Sequence, residues 1–121
     1  MKLSDLFFND CIIVGFNRDD ARRTLTLTFE AYDTTNPTPE PDTYILECSG
    51  VSDDRLVVSS EFQADLNRPY DFHGDDQRAN EIYELYRDST GVIHLSADMI
   101  SGSFKCESYR LLRLVQVEAV A

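Results

Sequence analysis

The 121-residue chain carries 22 Asp and Glu against 11 Lys and Arg, for a formal net charge of −11 and a pI near 4.4. Such a balance argues against nucleic acid and anionic membranes as partners, because both repel the protein before any specific contact forms, and it leaves a basic protein partner or none. The length suits one domain, 1–121, with a single core, and a hydrophobic content of 42% with seven Phe and six Tyr lies well above that of disordered acidic tails.

The opening MKLSDLFFND lacks the apolar core of a secretory signal, and no apolar run nears the ~20 residues of a membrane span, so a cytoplasmic protein is expected. LSDLFFND reads as a short helix or turn leading into CIIVGFN, whose β-branched residues favour a strand. A charged turn at 17–22 precedes the clearest pattern in the chain. Leu25, Leu27, Phe29 and Ala31 alternate with Thr24, Thr26, Thr28 and Glu30, which predicts a strand with one buried and one wet face.

Three prolines in TTNPTPEPD make 34–42 an exposed, stiff loop between two antiparallel strands. TYILECSGV resumes strand character, and VSDDRLVVSSEF adds another strand after an acidic turn at Asp53 and Asp54. From Gln63 to Arg78 the pattern dissolves into the longest irregular stretch, QADLNRPYDFHGDDQR. ANEIYELYRD fits a helix through Ile82, Leu85 and Tyr86, or a strand with Tyr83 and Leu85 on one face and Ile82 and Tyr86 on the other. The loop Ser89-Thr90-Gly91 before the alternating VIHLSAD favours the strand, in a hairpin with Gly at a positive-φ position. SFKCESYRLLRLVQVEAV gives a long final strand or a strand pair broken near Ser108. The predicted fold is mainly β with little helix: an antiparallel sandwich, open barrel or strongly curved sheet of about seven or eight strands.

Chemistry-bearing patterns are sparse. Cys11, Cys48 and Cys106 are odd in number and lack CxxC spacing, which points to buried free thiols rather than a disulfide framework or zinc site. DFHGDD offers Asp71, His73, Asp75 and Asp76 within six residues but lacks EF-hand spacing, so a solvated loop is the simpler reading. His94 shares a strand face with Val92 and Ser96, opposite Ile93 and Leu95, and no GxSxG elbow or phosphate-cradling glycine loop accompanies it. Phe7, Phe8, Phe16, Phe29 and Phe62 are expected in the core, whereas tyrosines among carboxylates suit an interface.

The stretch FFNDCIIVGFNRDDARRTLTLTFEAYD resembles the start of the small acidic β-rich immunity proteins that accompany bacterial polymorphic toxins. In them an aromatic and a polar-Asp-Cys step lead into a first strand, a charged turn and a strongly alternating second strand; Asn9 stands where such sequences often have His. The resemblance implies a non-enzymatic inhibitor that binds one cognate toxin and occludes its active site, and such families share no binding residues that carry over. The expected partner-binding residues are Tyr70, Asp71, Asp75, Asp76, Tyr83 and Glu84, with no catalytic residue, metal or cofactor, in a monomer or homodimer. Two other readings stay open. One is a small-ligand or metal-binding β-barrel, or an enzyme, using His73 with Asp71, Asp75 and Asp76; the other is a structural homo-oligomer paired through an edge strand such as the one ending LVQVEAVA.

Overall fold

A computed structural model describes residues 1–67 and 80–114. The alternation of Leu25 to Ala31 becomes the central strand β3 (Thr24–Asp33), whose burial alternates without a break over all ten residues. β3 pairs antiparallel with β4 (Asp42–Ser49) from Thr24↔Ser49 to Ala31↔Asp42. Two strands share other lengths of β3: β2 (Ile13–Asp19) pairs with residues 24–29, and the two-residue β1 (Leu6–Phe7) with Tyr32 and Asp33. β9 (Ser108–Arg113) pairs with the far side of β4, completing a five-stranded, strongly curled half-barrel.

The second sheet is a four-stranded meander in the order β5-β8-β7-β6, formed by β5 (Val57–Val58), β6 (Ile82–Arg87), β7 (Val92–Ala97) and β8 (Ile100–Lys105). Nine strands are thus present among the described residues, seven of them six residues or longer, which matches the expected mainly β class. A bridge between Ile12 and Glu81 joins the sheets at one side, with Ile82 N donating to Cys11 O at 2.8 Å and Ile13 N to Asn80 O at 3.1 Å. A second bridge, Ser52 to Lys105, ties the segment after β4 to the end of β8.

One core fills the space between the sheets. Phe29, Tyr44, Leu46, Ile13 and Ile93 are wholly buried, and Leu27, Ile82, Ile100 and Phe104 nearly so. Tyr44 stacks near Phe29 at 6.2 Å between ring centres, and its hydroxyl finds no hydrogen-bond partner among the described residues. Phe7 is the exception among the phenylalanines expected inside: it is exposed and stacks on Tyr32 at 4.9 Å, because in the two-residue β1 Leu6 takes the inward position and Phe7 the outward one.

The strand expected after the Asp53–Asp54 turn is mostly irregular, with only Val57–Val58 paired, and is followed by the one-turn helix α1 (Phe62–Leu66), which runs into the stretch from Gln63 read as irregular. Phe62 explains the helix: it is buried and meets Phe16 edge-on at 5.6 Å, and one helical turn suffices to seat it. The proline loop is exposed from Thr34 to Glu40, as expected, and Asp33 starts it by accepting from Thr35 N (2.9 Å) and Thr35 Oγ1 (2.7 Å). SFKCESYRLLR divides into β8 and β9, which lie in different sheets with a corner at Cys106 and Glu107. Gly102 in β8 has φ +138, and a Cβ there would lie 2.2 Å from Arg55 O, so only glycine lets the segment before β5 approach β8.

Candidate functional site

Tyr70, Asp71, His73, Asp75 and Asp76 lie outside the described residues, as does the tail from Val115. Of the expected contact residues, Tyr83 and Glu84 are described, and both stand exposed on β6. The pairing of β6 with β7 slips between Ile82 and Glu84, where a bulge inserts one residue. That extra residue puts both Ile82 and Leu85 in the core at a spacing of three and leaves Tyr83, Glu84 and Tyr86 outside. The helix-like spacing in the sequence is therefore the imprint of a bulge, and the face assignment expected for a regular strand is corrected: Tyr83 does not share a face with Leu85.

The bulge aims Tyr83 at the turn between β7 and β8. Its hydroxyl donates to Asp98 Oδ1 at 2.6 Å, and the Glu81 carboxylate lies close by. These two carboxylates hold the phenol's pKa well above its usual value, so it stays a donor at any physiological pH. Backbone bonds fix the arrangement: Asp98 N donates to Glu81 O at 3.0 Å, and Glu81 N to Asp98 Oδ2 at 3.3 Å. The ring of Tyr83 remains 51% exposed and that of Tyr86 45%.

Beyond Tyr86 lies a second arrangement built on the hairpin turn. Asp88 Oδ1 accepts from Thr90 N (2.9 Å), Thr90 Oγ1 (2.6 Å) and Val92 N (3.1 Å), and Gly91 at φ +86 closes the turn. The other oxygen, Oδ2, meets His94 Nε2 at 2.8 Å. Thr90 and His94, in that order, hold the Asp88 carboxyl far below the usual carboxylate range. His94 stacks flat on its cross-strand partner Tyr86 at 4.9 Å. The bond to Asp88 is the only hydrogen bond of the His94 side chain among the described residues, so no serine or cysteine completes a nucleophilic triad with it there.

Glu81, Glu84 and Asp98 have no Lys or Arg within ion-pair distance among the described residues. No group of three or more His, Cys, Asp or Glu there is arranged to hold a metal ion. A shallow cavity of about 210 Å³ lies further along the same sheet, lined by Asp53, Arg55, Val92, Ser103, Phe104 and Lys105. The Asp53–Lys105 ion pair, 3.4 Å long, is part of its lining.

The chain matches no family model, no curated protein and no solved structure. The face of β6 therefore rests on its own geometry. The sequence reading names Tyr83 and Glu84 as contact residues and does not group Asp98, Tyr86 or the Asp88–His94 pair with them. Period and turn signals place each on its strand, but only the β6–β7 register, with its bulge, shows which residues meet. No helix among the described residues is long and apolar enough to cross a membrane.

Proposed function

We propose that the chain is a non-enzymatic protein-binding module whose β6 face receives a basic partner, and that it acts as an immunity-type inhibitor occluding a bacterial toxin domain. The observation that carries this reading is the set of Glu81, Glu84 and Asp98, which have no counter-cation among the described residues, beside the half-exposed Tyr83, with Tyr86 half-exposed on the same strand. Uncompensated carboxylates on an acidic protein raise the encounter rate with a cationic surface by ~10–10³. Tyrosine rings supply rigid contact area that orders at little entropic cost. The resemblance of residues 7–33 to immunity proteins supplies the inhibitor role, and a cytoplasmic location fits it.

The test is a pull-down at low salt from the source cell, with recovered proteins compared with the products of neighbouring genes. A basic toxin domain encoded next door, inhibited by this chain at one-to-one stoichiometry, supports the reading. Normal activity of that toxin in the presence of excess chain ends it. The edge strand β9, with Leu112 and Leu114 exposed at its end, favours a second reading as a homo-oligomer paired along that edge. A monomer by light scattering across a wide concentration range removes it.

A further inference from the structure

Cys48 and Cys106 are far apart in sequence, yet the fold brings them together. On β4 the inward positions are Tyr44, Leu46 and Cys48, all buried. On β8 Phe104 points inward, and Cys106, two residues on, lies at the corner where the chain leaves the second sheet for the first. Glu107 N donates to Ser49 O at 3.0 Å, and Cys48 pairs with Tyr109, so the corner is pinned against the end of β4. Cys106 packs against the core cluster that contains Cys48, and the two thiols lie close enough to act on each other's ionisation. Cys48 is buried and Cys106 half-buried.

We infer that Cys48 and Cys106 form a reversible inter-sheet disulfide in the folded protein, by exchange with a small disulfide such as oxidised glutathione. Cys106 is the attacking group, because it is the more open to solvent: burial raises its thiol, but the neighbouring Cys48 and the Arg87 guanidinium offset part of that rise, whereas burial pushes the Cys48 thiol far up. Its thiolate displaces one glutathione thiolate and forms a mixed disulfide. Cys48, losing its proton to solvent, then attacks the Cys106 sulfur and releases the second glutathione thiolate. Two protein thiols become one S–S bond, their two electrons reduce the oxidised glutathione to two thiols, and the protons balance. Cys11 takes no part: it is fully buried, its thiol donates to Asn9 O at 3.5 Å, and burial pushes its pKa up to about 11.

The whole native chain is incubated with oxidised glutathione, alkylated and digested with trypsin. The three cysteines fall in separate peptides, 3–18, 24–55 and 106–110, so the pairing is read directly by mass. The expected result is a linked 24–55 and 106–110 pair in the monomer, Cys11 alkylated throughout, reversal by dithiothreitol, and a rise in Tm of roughly 5 °C or more as the long loop closes. Cys106→Ser, a change at a half-buried corner, abolishes both the link and the rise. Full alkylation of both thiols after prolonged oxidation, a glutathione adduct that stays on Cys106, or a link that forms only in denaturant overturns the inference.

Discussion

The outward faces of the two sheets treat charge in opposite ways. On the half-barrel, acids are answered by nearby cations: Glu47 meets Arg110 at 2.9 Å, Asp42 meets Arg113 at 3.6 Å, and Arg18 reaches Asp54 at 3.1 Å and Asp20 at 4.0 Å. On β6 of the second sheet, Glu81, Glu84 and Asp98 stand beside Tyr83, and among the described residues the nearest answering group is a phenol, not a cation. The difference teaches that a net charge of −11 is a poor guide to where a partner binds, because only charge left uncompensated locally projects a field that a partner can feel.

The comparison presupposes that both faces hang on one core, and the largest effect is expected there. Leu46 is wholly buried between Leu27 and Leu111 in the register of the half-barrel. Leu46→Ala should cost about 2–5 kcal/mol by lost burial and cavity formation, measured by urea denaturation. Loss of both sheets in a single transition is expected, and two separate transitions would show that the faces belong to independent units.

Next in size is the β6 face itself. Tyr83→Ala should weaken binding of the basic partner roughly 10-fold or more, as truncation of a contact aromatic does, while the fold stays intact by circular dichroism. Glu84→Lys should slow association by about 10-fold at low ionic strength and flatten its salt dependence. Stopped-flow rates at several salt concentrations separate the two, since the tyrosine acts mainly on dissociation. Unchanged rates in both variants would move the binding surface away from β6.

Much of this architecture was readable in the sequence, and the part that was not has a common cause. Leu25 to Ala31 announced β3 because period two is a property of one strand alone. Gly91 announced the hairpin because the turn constrains its own residues. The meeting of Tyr83 with Asp98, and of Asp88 with His94, depends on pairing register and on a bulge at Tyr83, which no single segment encodes. Phe62 was legible as a core residue, but helix α1 was not: one buried aromatic can seat a short helix, yet a five-residue helix leaves too little periodicity to detect.

The Asp88–His94 pair sharpens the comparison through pH. The Asp88 carboxyl is depressed in the folded protein, so its contribution is present above the ordinary carboxylate pKa of about 4 and is lost as pH falls below it. Asp88→Asn should lower Tm at pH 7, where the anion accepts from Thr90, Val92 and His94. The gap between the two proteins should narrow progressively below about pH 4. A constant gap from pH 7 to pH 3 would mean that the turn is held by its shape and that the charge on Asp88 is incidental.

The smallest expected effect is the most discriminating. Glu47→Lys changes net charge by the same amount as Glu84→Lys but does so on the half-barrel, where it replaces the Arg110 ion pair with a repulsion. Because these side chains are largely open to solvent, the stability change should stay within about 1 kcal/mol. Association with the basic partner should slow far less than in Glu84→Lys, since the altered charge lies on the other sheet and salt screens it over about a Debye length of ~10 Å at 0.1 M. Equal slowing in the two variants would show that overall charge does the steering. In that case the uncompensated carboxylates of β6 would have no special claim as the docking surface, and the argument would fall back on Tyr83 and Tyr86 alone.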